Sequence, residues 1–90
     1  MRDHAPVTVR LVYLARLREA LGAPGESVAL AGEATVSALL ESLRSRGGAF
    51  ASELASGRPV RIAVNHAVAA DSTPLRDGDE VALFPPVTGG

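Results

Sequence analysis

Between Thr35 and Gly48, apolar residues Val36, Leu39, Leu40 and Leu43 recur at i, i+3, i+4 and i+7, making one side of a helix apolar. Thr35 is placed to cap its first turn and Gly47-Gly48 to end it. A helix with a single apolar stripe must lie on something, and the remaining segments read as strands. Val7–Leu14 alternates Val7, Val9 and Leu11 with Thr8 and Arg10, then turns wholly apolar, as a covered central strand does. Glu26–Leu30, Val60–Asn65 and Glu80–Phe84 are shorter strand segments, and a brief return strand through Val68 follows a bend at Asn65-His66. ARLREALG reads as a short helix, with Leu14, Leu17 and Leu21 at helical spacing and Gly22 as a stop. Ala49–Ala55 adds one or two helical turns with Phe50 and Leu54 on one face. Pro24-Gly25 and Asp77-Gly78 are turns. This order predicts an α+β fold: a mixed sheet of about five strands with the main helix on one face. In the last strand, period-two parity sends Val81 and Leu83 inward and Ala82 and Phe84 outward.

Ninety residues with 47% hydrophobic content suit one domain with one modest core. A net charge of −1 gives no case for nucleic acid or a membrane surface as partner. The amino end, MRDHAPV, has no apolar core of a signal peptide, and no run approaches a membrane span, so the expected compartment is the cytoplasm. With no cysteine, a thiol nucleophile and a thiolate metal site are excluded. His4 and His66 have no companions at ligand spacing, so no bound metal is expected. GAPG and RGGAF match neither nucleotide-binding signature, and DGDE (Asp77–Glu80) reads as turn chemistry. Arg58 and Arg61 flank Pro59, either as a solvated face or as a contact for an acidic partner. Lysine is absent and all nine cations are arginine. A GC-rich genome accounts for that; so does a carboxyl end that is to be activated without amine nucleophiles nearby.

The carboxyl end carries the chemistry. Pro85 and Pro86 favour an extended path, and Gly89 and Gly90 have no side chains, so they can enter a narrow channel. Six residues beyond Phe84 reach about 20 Å at roughly 3.3 Å each. The reactive group of this arm is the Gly90 carboxyl, which is anionic near neutral pH and a poor electrophile. Group transfer through it needs prior activation, for instance as a mixed anhydride with AMP. A sulfur donor could then turn the acyl adenylate into a thiocarboxylate, a good nucleophile. The alternative is a frayed, functionless end. Phe84, at the base of the arm, is either an anchor for a partner or a core-margin residue folded back on Leu83 or Val12.

The run Ala63–Gly90, with LRDGDEVALFPPVTGG from Leu75, closely resembles the carboxyl part of molybdopterin synthase small subunits. Val9–Gly22 resembles their opening strand and short helix. The resemblance implies a ubiquitin-like β-grasp fold over residues 1–84 and an extended diglycine tail over 85–90. By analogy it also sets the first and last strands side by side as the central parallel pair. It implies further that an ATP-dependent, E1-like activating enzyme adenylates Gly90 and a sulfur relay protein supplies the thiocarboxylate. The tail then inserts into a large subunit, which contributes a catalytic lysine and converts cyclic pyranopterin monophosphate to the molybdopterin dithiolene. On this resemblance Gly90 bears the sulfur, and Gly89 gives clearance. Pro85, Pro86, Val87 and Thr88 line the insertion, Phe84 lies at the subunit interface, and two small subunits cap a dimer of large ones. Other readings are a sulfur carrier for thiazole or cysteine synthesis, a ubiquitin-like protein modifier, or a non-catalytic interaction domain.

Overall fold

The computed structural model describes residues 6–55 and 57–86. Its elements run β1 (Val7–Tyr13), α1 (Ala15–Leu21), β2 (Gly25–Leu30), α2 (Val36–Arg44), α3 (Gly48–Glu53), β3 (Arg61–Val64), β4 (Ala67–Val68) and β5 (Glu80–Phe84). They form one five-stranded sheet in the order β2-β1-β5-β3-β4. The first and last strands, β1 and β5, are the parallel pair, and every other neighbouring pair is antiparallel. This is the β-grasp arrangement, with the helices on one face of a mixed sheet.

Burial follows the sequence pattern. Val36, Leu39 and Leu43 of α2 are fully buried, as are Val81 and Leu83 of β5, against Val9, Leu11 and Tyr13 of β1. Each such side chain contributes about 1.5–3 kcal/mol on leaving water. Thr35 Oγ1 accepts a 3.1 Å bond from the Ala38 amide, the expected cap. Two further amides at this end, of Val36 and Ser37, donate to the Thr73 and Asp71 carbonyls, tying the loop before β5 to the helix. The helix ends at Arg44, earlier than its glycines suggest. Gly47 (φ 78°) then turns the chain, and Gly48 begins α3.

Leu14 departs from expectation. It does not join the apolar stripe of α1 but precedes the helix in an extended conformation, and its side chain is 43% exposed. Its amide donates a 3.0 Å bond to the Leu83 carbonyl, so sheet pairing outcompetes another half-turn of helix. Ala15, at φ 54°, makes the break between the two. Gly25 likewise belongs to a strand and not only to a turn: it opens β2 opposite Val12.

Candidate functional site

β5 lies at the centre of the sheet and leaves it between the end of β1 and the start of β3. Tyr13 pairs with Leu83, and Arg61 pairs with Phe84. Val81 and Leu83 face the helices, so Ala82 and Phe84 lie on the uncovered face, with Phe84 half-buried. Phe84 is not among the partly buried hydrophobics packed against the core cluster. Pro85 and Pro86 follow it outside any strand and are also half-buried. Val87, Thr88, Gly89 and Gly90, the remaining tail positions, lie outside the described residues, as does His4.

The open face carries an apolar band that sequence reasoning did not find. Strand pairing aligns Val12, Ala82, Ala63 and Val68 in one row across β1, β5, β3 and β4. One step nearer the tail, Phe84 has Arg61 on one side, and Leu14 prolongs β1 on the other. Val68 is 64% exposed, and with Leu14 it makes up the large exposed hydrophobics among the described residues. The signal for Leu14 was its parity with Val12, which a helical reading of ARLREALG masked. For Val68 nothing local was available, since its place depends on pairing with Ala63. Away from the tail the band is bordered by Arg10, which pairs with Glu80, and by His66, whose Nε2 lies 3.9 Å from Glu80 Oε2. An exposed apolar patch with a polar border is the form that protein docking surfaces commonly take.

The covered face is rigidly mounted beneath it. The Tyr13 hydroxyl donates 2.6 Å to Glu26 Oε2, and Arg46 Nη1 meets the same oxygen at 2.8 Å. Burial, reinforced by the Glu26 carboxylate, pushes the Tyr13 hydroxyl well above the ordinary phenol range. The bond from Arg46 is the main cause holding Glu26 below the usual carboxylate range. Arg46 also lies 4.8 Å from the centre of the Phe50 ring, which meets Tyr13 edge-on at 6.2 Å. Two of the three aromatics are thus spent inside this lock, and Phe84 alone is on the open face. Among the described residues no cluster of His, Asp or Glu could hold a metal ion.

The ThiS family matches residues 11–90. The chain is 39% identical over 82 residues to the molybdopterin synthase sulfur carrier subunit of Escherichia coli (strain K12), covering 91% of this chain and 99% of that one. The crystal structure of SAMP1 from Haloferax volcanii superposes with a TM-score of 0.77 at 32% identity, covering 92% of this chain and 99% of that one. A chain from the complex of subunits 1 and 2 of molybdopterin-converting factor from Helicobacter pylori 26695 is 25% identical, with a TM-score of 0.62, covering 93% and 100%. With its central strand pair, its uncovered apolar band and these likenesses along nearly its whole length, the chain belongs to the ThiS family.

Proposed function

We propose that this chain is the sulfur carrier subunit of molybdopterin synthase and that the Gly90 carboxyl is the carrier. One observation supports this most: central strand β5 ends at Phe84 beside the apolar band, and the sequence runs on from it directly as PPVTGG. In the first step a Gly90 carboxylate oxygen attacks the α-phosphorus of ATP on an activating enzyme, releasing pyrophosphate. A sulfur relay protein's persulfide sulfur then attacks the acyl carbon, and AMP leaves with the bonding pair. A thiol of the relay protein or the activating enzyme then attacks the relay-side sulfur of this acyl disulfide, forming a disulfide with the relay and releasing the thiocarboxylate on Gly90. The tail enters the large subunit, where the sulfur attacks cyclic pyranopterin monophosphate on the way to the dithiolene. The subunit pairing in the Helicobacter pylori complex supports a large-subunit partner.

Within this reading the sheet does no chemistry; it docks. Phe84, Leu14 and Val68 bury their exposed surface on the partner, while the six residues after Phe84 allow Gly90 a reach of up to about 20 Å. The ATP requirement fits a cytoplasmic protein, and no helix among the described residues is long and apolar enough to cross a membrane.

A second reading, a protein modifier joined to lysines, is favoured by the likeness to SAMP1, a small archaeal modifier protein. Intact-mass analysis separates the two after incubation with the activating enzyme, ATP and a sulfur donor. Exchange of one terminal oxygen for sulfur, followed by molybdopterin formation with the large subunit, is the expected result. Heavier isopeptide adducts and an unsulfurated free chain would replace the carrier reading with the modifier.

A further inference from the structure

We propose that arginines at the exit of the tail form a cationic collar that orients the chain on an acidic rim around the tail-receiving channel of the large subunit. The proposal rests on the carrier reading above. β1 and β5 end, and β3 begins, at the same end of the sheet. Arg16 lies there because α1 starts at Ala15, immediately after Leu14 has paired with Leu83. Arg61, the first residue of β3, is exposed beside Phe84. Arg58 stands just before it, in the approach to β3.

The charges at this end do not cancel. Glu53 Oε1, at the end of α3, is shared by Arg16 Nη2 and Arg58 Nη2, each at 3.2 Å. Two guanidiniums on one carboxylate leave a surplus of one, and Arg61 has no ion-pair partner among the described residues. Behind them Arg44 and Asp71, which line a cavity with Arg58, offset each other. With +2 at this end and −1 overall, the rest of the chain carries −3. Among the described residues the start of β5 has the reverse sign: Asp77, Asp79 and Glu80 stand against Arg76 and Arg10. The charge is therefore polarised along the strand that launches the tail.

That polarity matters because the tail bears no charged side chain, and the Gly90 carboxylate at its tip is repelled by an acidic rim that the arginines attract. A chain with almost no net charge gains little attraction as a whole, but a polarised one is turned as it approaches. When an arm about 20 Å long is fully inserted, the collar comes to rest at the channel mouth, within a Debye length of any carboxylates there. The partner that fits is one whose mouth is acidic.

Stopped-flow association with the large subunit, at low and high salt, tests this. Arg61→Gln removes a collar charge that holds nothing else in place, and Arg76→Gln removes the same charge from the far end. Arg61→Gln is expected to slow association about threefold or more at low salt and to flatten the salt dependence, with dissociation changed less. Arg76→Gln is expected to leave the rate unchanged or slightly faster. Matching melting curves exclude misfolding as the cause. Equal effects of the two variants, or a native association rate indifferent to salt, would overturn the collar and leave the carrier reading standing. No association of the native chain at any salt would remove both.

Discussion

The Tyr13 hydroxyl reaches diagonally across the β1–β2 pair to Glu26, 2.6 Å away, and Arg46 from beyond α2 closes on the same carboxylate oxygen. One carboxylate thus fastens the end of the main helix to two strands. Tyr13→Phe keeps the ring and its edge contact with Phe50 but deletes the donor. Glu26 retains Arg46, so the loss should be about 1–2 kcal/mol, at the lower end for a bond to a charged group. Urea unfolding with an unchanged slope and a lower midpoint is the expected result; an unchanged midpoint would show that the hydroxyl is dispensable.

Acid should weaken the fold through two carboxylates. Glu26 is held low chiefly by its bond from Arg46, and Asp79 chiefly by the Arg76 amide, then by Asn65. Both bind protons less readily folded than unfolded, so their contribution is complete above the ordinary carboxylate range of about 4. It is lost as pH falls below that, through the folded values. Melting temperature followed from neutral pH downward should decline there, and Glu26→Gln should make the decline shallower. A variant with an unaltered acid limb would exclude Glu26 as a source.

Gly25 has no room for a side chain. A Cβ built there would lie 2.1 Å from the Leu11 carbonyl oxygen, which is backbone and cannot swing aside. Gly25→Ala should therefore cost about 1–3 kcal/mol by forcing β2 away from β1. Calorimetry that finds the variant as stable as the parent would mean that the edge strand shifts freely.

Phe84→Ala should leave the fold intact, because Phe84 lies on the open face and outside the packed cluster. Affinity for the large subunit should fall by about 1 kcal/mol or more, as for a truncated aromatic anchor. Titration calorimetry giving the parental dissociation constant would remove Phe84 from the interface.

Deleting Gly90 should abolish sulfur transfer without altering the melting temperature. The expected loss is complete, since the carboxyl then left on Gly89 stops one residue, about 3.3 Å, short of its position in the full chain. Residual molybdopterin formation by the truncated chain would relocate the chemistry.

Much of the architecture was legible because the signals were local. The stripe through Val36, Leu39, Leu40 and Leu43, the Thr35 cap and the parity of Val81 and Leu83 each depend on a few neighbours and a fixed period. Leu14 was misread for the same reason. Its spacing from Leu17 and Leu21 is helical, but its amide is claimed by Leu83, a residue 69 positions away. The Tyr13–Glu26–Arg46–Phe50 lock was invisible in the sequence because its members come from two strands, the turn after α2, and α3.

By itself the sequence determined the fold class, the apolar stripes that fill the core, and the run of two prolines and two glycines that follows β5. These follow from periodicity, from the fixed φ of proline and from the missing side chains of glycine. Tertiary structure alone decided which residues surround the root of that arm. The apolar row from Val12 to Val68 and the arginines 16, 58 and 61 come from segments far apart in the chain. Strand pairing alone assembles the row and sets Arg61 beside Phe84, and the Glu53 ion pairs alone join Arg16 to Arg58.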